Sequence, residues 1–335
     1  LVDKFGNSNE YPTPAEIAVG APADVVPVEE LTVVSDIDGF KAAIASCMET
    51  NKTADAPRRV IYMKKGDYNL GTSSKSEPML HLNKAFNVSI IGESRDGVVL
   101  RGNITGISYP VFSTRNSTNI YMENFTIRND LDWGCFDENG DGNGKGVGVA
   151  HYGGNRDIMV NMRLQSNQDT QVTGEQGYYY NCEIHGSVDY ICGGGDHFYD
   201  RCVFVNTRKG SVVTAPSTSA LLKWGYVFQN CVIKGISSYN LGRPWQNEPR
   251  CYWLNTTMEA TCSANGWDKM GTLPTHFYEY GSKDKNGNLI DLSVRGNSPT
   301  STNKYTPVLT AEEAAEFTVE NVLGGTDSWL APDEY

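Results

Sequence analysis

Residues 178–186 read YYYNCEIHG, residues 198–206 read FYDRCVFVN and residues 227–235 read VFQNCVIKG. The three align residue for residue on Cys182, Cys202 and Cys231. Each carries aromatic or apolar residues, a polar pair or near-pair, the cysteine, one variable residue and then Ile or Phe. Two earlier stretches, NIYMENFTIRN (119–129) and DIMVNMRLQS (157–166), place Phe125 and Met162 at the cysteine position. Short β-branched and aromatic runs closed by Gly or Asn, recurring at a variable period of roughly twenty residues or more, fit a parallel β-helix. Equivalent residues of successive coils then stack about 4.8 Å apart. Phe125, Met162, Cys182, Cys202 and Cys231 are therefore expected to form one inward ladder. The competing all-β architecture is a β-sandwich. It needs hairpins, and few two-residue Asn-Gly turns separate matched strands here.

Outward from the repeat, the chain reads as one domain over residues 1–335. Residues 1–30 are polar and Pro-rich, an arm laid over the surface. DIDGFKAAIASCM (36–48) has Phe40, Ala43, Ile44 and Cys47 at helical spacing, which predicts a short helix capping one end of the stack. Val60–Met63, Asn87–Gly92 and Val98–Gly102 read as strands. Residues 305–335 form a tail with a helix over Ala311–Leu323, opened by a capping box of Thr310 and Glu313. Its apolar face (Ala311, Ala315, Val319, Val322) would cover the side or far end of the stack, and Gly324-Gly325 would end it.

Several function classes are disfavoured. The net charge of -12 disfavours nucleic acid and anionic membrane as partners. No apolar run approaches the roughly 18 residues a membrane helix needs. The opening LVDKFGNSNEYPTPAE shows no signal-peptide pattern, which says nothing about export. None of the eight cysteines has CxxC spacing, and HExxH and GxSxG are absent. Stacking brings the ladder cysteines within disulfide reach, but parallel Cβ vectors aim the sulfurs poorly, so free thiols are expected. The acidic, Gly-rich stretch 130–146 interrupts the repeat. Asp137, Asn139, Asp141 and Gly142 match half of an EF-hand loop, yet its twelfth position is Gly148 instead of Glu. A solvated loop is expected there, and no metal or other cofactor.

If 181–184 and 201–204 are equivalent strands, Asp169 and Asp189 lie at related heights on adjacent coils. Two neighbouring carboxylates repel, so one titrates higher than the other. That supplies an anionic nucleophile or base and a protonated acid, the division of labour hydrolysis needs. Arg243, in LGRPW (241–245), is suited to hold Asp189 ionised through a bidentate pair. Gln168 offers an amide donor for an oxyanion. Trp245, Trp267 and Tyr190 are candidates for contacting a sugar. Taken singly, each has a plainer reading as a turn cap or a packed ring.

Together the motifs are more specific. QDT (168–170), GSVDYICG (186–193) and LGRPW, in this order, resemble the pectin methylesterases (carbohydrate esterase family 8). VIYMKKGDY, SIIGESRDGVVLRGN, ANGW (264–267) and YEYG (278–281) extend the likeness from about residue 35 to the C-terminus. The resemblance implies a right-handed parallel β-helix that hydrolyses galacturonate methyl esters in pectin and releases methanol. It implies Asp189 as nucleophile and Asp169 as general acid and then base. Gln168 would donate to the oxyanion, Arg243 would orient Asp189, and Trp245 and Trp267 would line the groove. No cofactor is implied. A polymeric substrate implies a secreted, periplasmic or cell-surface location, and a monomer is expected. The chain also departs from the family. A Gln usual before the QDT coil falls on Gly146 or Val147, Asn167 stands where Tyr is usual, and Cys192 where Phe is usual. The alternative class is therefore a β-helix that binds polysaccharide or acts on a different ester. A polysaccharide lyase is a third reading, lacking the calcium site and basic residue that it needs.

Overall fold

The computed structural model describes residues 31–104, 109–131, 133–139, 147–274, 276–296 and 306–324. The expected arm at 1–30 lies outside them, as do Asp141, Gly142, Gly146 and Gly325. Three parallel sheets of ten, nine and seven strands, here called A, B and C, wind into a right-handed β-helix. One coil shows the plan. Gln176–Tyr180 lies in sheet A, Glu183–Gly186 in sheet B and Val188–Gly193 in sheet C. The chain then returns to sheet A at Asp196–Asp200. Every pairing between these strands is parallel, and those in sheets A and B run in register with the next coil, as in Tyr178↔Phe198 and Ile184↔Phe204. No hairpin links neighbouring strands of a sheet among the described residues, so the sandwich is excluded.

The corner between sheets A and B explains the repeated polar residue before each cysteine. Asn124, Asn161, Asn181, Arg201, Asn230 and Asn255 all have φ between 51° and 59°. A single left-handed residue turns the chain sharply, and Asn tolerates that conformation better than most side chains. The asparagines also bond to one another across coils, Asn161 to Asn124 and Asn181 to Asn161. The next residue is thereby aimed inward. Phe125, Met162, Cys182, Cys202 and Cys231 are all buried in one core, as the repeat predicted. The cysteines are free. Each thiol donates to a carbonyl of the preceding coil: Met159, Tyr179 and Tyr199, at 3.3, 3.3 and 3.4 Å. Opposite them runs a ring stack, Tyr179–Tyr199–Phe228–Trp253, with successive centroids 4.3, 4.7 and 3.8 Å apart.

Helix α1 (Ile37–Thr50) closes one end. Asp36 caps it by accepting from Gly39 N–H at 2.8 Å, and Phe40, Ala43, Ile44 and Cys47 are buried as expected. The C-terminal helix differs from its prediction. It is two helices, α2 (Ala311–Ala315) and α3 (Val319–Leu323). The Thr310–Glu313 capping box is present, but Thr318 starts a second helix by accepting from Asn321 N–H. The break lets Phe317 pack between Trp224 and Tyr252, with centroids at 5.3 and 4.4 Å. Ala311 and Ala315 are exposed, and Phe317, Val322 and Leu323 do the covering instead. They lie against Tyr178 and Phe198, on the outer side of sheet A rather than at the end of the stack.

Candidate active site

The two aspartates meet at the corner between sheets B and C. Asp169 donates its N–H to the carbonyl of Val188 at 3.1 Å, so it sits beside the residue that precedes Asp189. Both have positive φ, 57° and 48°. Asp, like Asn, tolerates this left-handed conformation better than most side chains, so both aspartates can occupy the sharp bend. A register shift between Val188 and Ile191 makes room for that geometry.

Arg243 arrives from the coil of Tyr239–Gly242 (sheet C). Its Nε lies 2.7 Å from Asp189 Oδ1 and its terminal nitrogen 2.5 Å from Oδ2, a two-point grip. Asp189 is only 4% exposed. Burial pushes its carboxyl up, and the Arg243 hydrogen bonds and charge oppose that. Asp169 is pushed up to about 7, first by burial and next by the Asp189 charge. Arg243 and a hydrogen bond from Gln168 work against the rise without cancelling it. The pair is therefore asymmetric. Asp189 has a guanidinium clamped to it, whereas Asp169 keeps its proton up to near neutrality.

Trp245 is half-buried, with its backbone N–H on the Pro216 carbonyl at 3.3 Å. The other two aromatic candidates do not belong to the surface. Tyr190 is fully buried and donates its hydroxyl to Asn206 Oδ1 at 3.0 Å. It fills the space above Gly186, where an added Cβ would approach within 2.0 Å of Tyr190 Cβ. Trp267 is 1% exposed and packs on Phe277 at 4.6 Å, because its bridge to Gly242 draws it into the end of the core. Both rings are buried in this structure.

Two features, Asp268 and the burial of Asp137, escaped sequence reasoning, and the place of Val147 was left open by it. Asp268 follows Trp267, bonds its N–H to the Gly242 carbonyl at 3.0 Å, and acts electrostatically on both Asp189 and Arg243. Its signal was its place after ANGW, beside the LGRPW coil. Val147, one of the two positions expected to take the missing Gln's place, forms a parallel bridge with Gln168. Asp137, read as half of a solvated loop, is buried. Its carboxylate lies 3.3 Å from Arg208 Nε. No group of three or more His, Cys, Asp or Glu among the described residues is placed to hold a metal ion.

Comparison with known proteins gives consistent matches. The Pectinesterase family model matches residues 30–326. Probable pectinesterase A of Aspergillus niger is 26% identical over 321 residues, covering 87% of this chain and 92% of that protein. Probable pectinesterase 30 of Arabidopsis thaliana is 25% identical over 90% of this chain but only 61% of its own length. A solved pectin methylesterase in complex with a hexasaccharide has a TM-score of 0.66 at 25% identity, covering 86% of this chain and 94% of that one.

Proposed function

The chain belongs to the pectinesterase family of carboxylic ester hydrolases, and from that premise we propose a mechanism in which Asp189 is the nucleophile and Asp169 the acid–base. The substrate is the methyl ester of a galacturonate unit in pectin, and the products are methanol and the free acid. An Asp189 oxygen, kept ionised by Arg243, attacks the ester carbonyl carbon. The carbonyl electron pair moves onto oxygen, where the Gln168 amide donates a hydrogen bond. Asp169, still protonated below about pH 7, gives its proton to the departing methoxy oxygen. The C–O bond breaks, methanol leaves, and the substrate acyl group remains on Asp189 as an anhydride. Asp169, now ionised, takes a proton from water, and the hydroxide attacks the substrate acyl carbon. Collapse restores the Asp189 carboxylate and the Asp169 proton, so one water is consumed per methanol.

The observation that carries this reading is the unequal treatment of two adjacent carboxylates: a two-point guanidinium grip on Asp189, and Asp169 raised to about 7 beside it. Trp245 is the aromatic residue placed to contact the polymer. The protein acts as a monomer outside the cytoplasm, where a polymer can reach it. The test is the product formed from highly methylated pectin. Methanol without unsaturated uronate supports the esterase, and its loss in Asp169→Asn supports the acid–base role. Unsaturated product would point to a lyase, and no product to a binding protein.

A further inference from the structure

Sheet C leads from the aspartates to a second concave site. The strand after Asp169, Gln171–Thr173, lies beside the strand that contains Asp189, Val188–Gly193, and Val172 pairs with Cys192. On the next coil Tyr152 pairs with Val172. Tyr152 and Val172 face outward, since their neighbours His151 and Gln171 are the buried ones. Tyr152, Val172 and Cys192 thus form one row across the sheet. At about 4.8 Å per strand, Tyr152 stands roughly 10 Å from Cys192. Burial, and then the charges of Asp169 and Asp189, push the Cys192 thiol up, so that end of the row lies beside the two aspartates. At the other end, the turns leaving sheet C enclose a cleft of about 350 Å³, lined in part by Arg115, Tyr152, Asn155, Thr173 and Glu175.

The cleft has a cationic wall. The Arg115 guanidinium lies over the Tyr152 ring at 5.0 Å, and Arg115 makes no ion pair among the described residues. Asn116 Nδ2 donates to Asn83 Oδ1 at 3.1 Å, which sets the turn of Lys84 against that of Arg115. Both cations are exposed. In a chain of net charge -12 they form a local attraction for anions that the molecule as a whole repels. Two coils further on stands Glu175, its N–H tied to the Gly154 carbonyl at 2.9 Å. A carboxylate therefore has one favourable side of the cleft, that of Arg115. We propose that this cleft is a subsite for a demethylated galacturonate unit of the polymer whose ester is being cleaved, with Arg115, braced on Tyr152, taking its carboxylate. A guanidinium matches a carboxylate with two parallel bonds. Asn116 and Asn155 line the same cleft and carry amides suited to sugar hydroxyls. A methylated unit brings no charge to Arg115, so the subsite favours the product of the reaction over its substrate. This assignment deepens the esterase reading above and rests on it for its ligand class.

The test uses fully demethylated hexagalacturonide, which has no ester to hydrolyse, with binding measured by calorimetry. Arg115→Gln is expected to weaken binding about three- to tenfold, the worth of one partly exposed charge-assisted contact. Glu175→Gln should tighten it about twofold by removing a like charge, and both effects should shrink with added salt. Opposite signs from the two substitutions are what a merely structural role would not produce. In turnover, Arg115→Gln should raise KM on partly demethylated pectin about three- to tenfold relative to KM on highly methylated pectin. No binding of the hexagalacturonide by the wild type, unchanged binding by Arg115→Gln, weaker binding by Glu175→Gln, or an equal rise in KM on both pectins overturns the assignment. If the wild type releases no methanol but the two substitutions still move binding in opposite directions, the subsite stands and the catalytic reading falls.

Discussion

Replacing Arg243 with Gln removes the charge and one of the two bonds that hold Asp189. The pair is close, 2.7 and 2.5 Å, and Asp189 is 4% exposed. Breaking a buried ion pair from one side costs about 3–5 kcal/mol. Arg243 keeps 24% of its side chain in solvent, so screening reduces this to about 2–4 kcal/mol. The Asp189 carboxyl, already pushed up by burial, rises further once the Arg243 hydrogen bonds and charge that oppose the rise are lost. The sign follows from which form loses its partner: the ionised one. In the proposed mechanism, activity needs Asp189 ionised and Asp169 protonated. It therefore rises with pH through the Asp189 titration and falls through about 7, where Asp169 loses its proton. In Arg243→Gln the rising limb moves toward the falling one, the window narrows, and the maximal rate drops by about 10²–10³. Arg243→Lys keeps the charge but not the two-point grip. It should hold the rising limb near its wild-type place while losing about tenfold in rate. The assay is the initial rate of methanol release against pH for all three proteins. A Gln variant with the wild-type rising limb and nearly full rate would refute the electrostatic role given to Arg243.

Three further outcomes are expected. Asp169→Asn should abolish turnover yet stabilise the fold above pH 7: the folded-state pKa is raised, so ionising Asp169 costs stability between its ordinary value and about 7. The gain at alkaline pH, about 1–3 kcal/mol after partial solvent exposure is allowed for, is read from denaturant midpoints at acid and alkaline pH. Phe228→Ala, in the middle of the ring stack, should cost about 3–5 kcal/mol in the same measurement, because both Tyr199 and Trp253 lose a stacked partner. Val147→Gln places an amide beside Gln168 and should raise kcat about tenfold, part of what a second oxyanion donor is worth; an unchanged kcat would place the groove's second donor elsewhere.

What was legible in the sequence was what the coil repeats. A left-handed corner followed by an inward residue recurs on the coils from Asn124 to Asn255, so Asn181–Cys182 and Asn230–Cys231 are visible as a pattern in the chain. The adjacency of the two aspartates was legible for the same reason: one coil of spacing brings Asp169 beside Asp189. Features set by contacts between distant segments were not. Tyr190 looks like a surface ring until the register shift at Val188–Ile191 turns it toward Asn206. Trp267 shares its residue type with Trp245 but is drawn inward by Gly242 and Phe277. Asp137 sits in a run of acidic and Gly residues that reads as solvated, and only its pairing with Arg208 reveals an anchor. The tail helix has unbroken apolar spacing. It breaks because Phe317 finds a slot between two rings of other coils.

The central claim is that the Asp189 carboxylate is the attacking group. The most direct measurement is methanol release from highly methylated pectin by Asp189→Asn against the wild type near pH 6, with both confirmed as folded by circular dichroism. An amide of the same shape cannot attack the ester, so the account predicts a loss of about 10³-fold or more. Release by Asp189→Asn within about tenfold of the wild type would contradict the account.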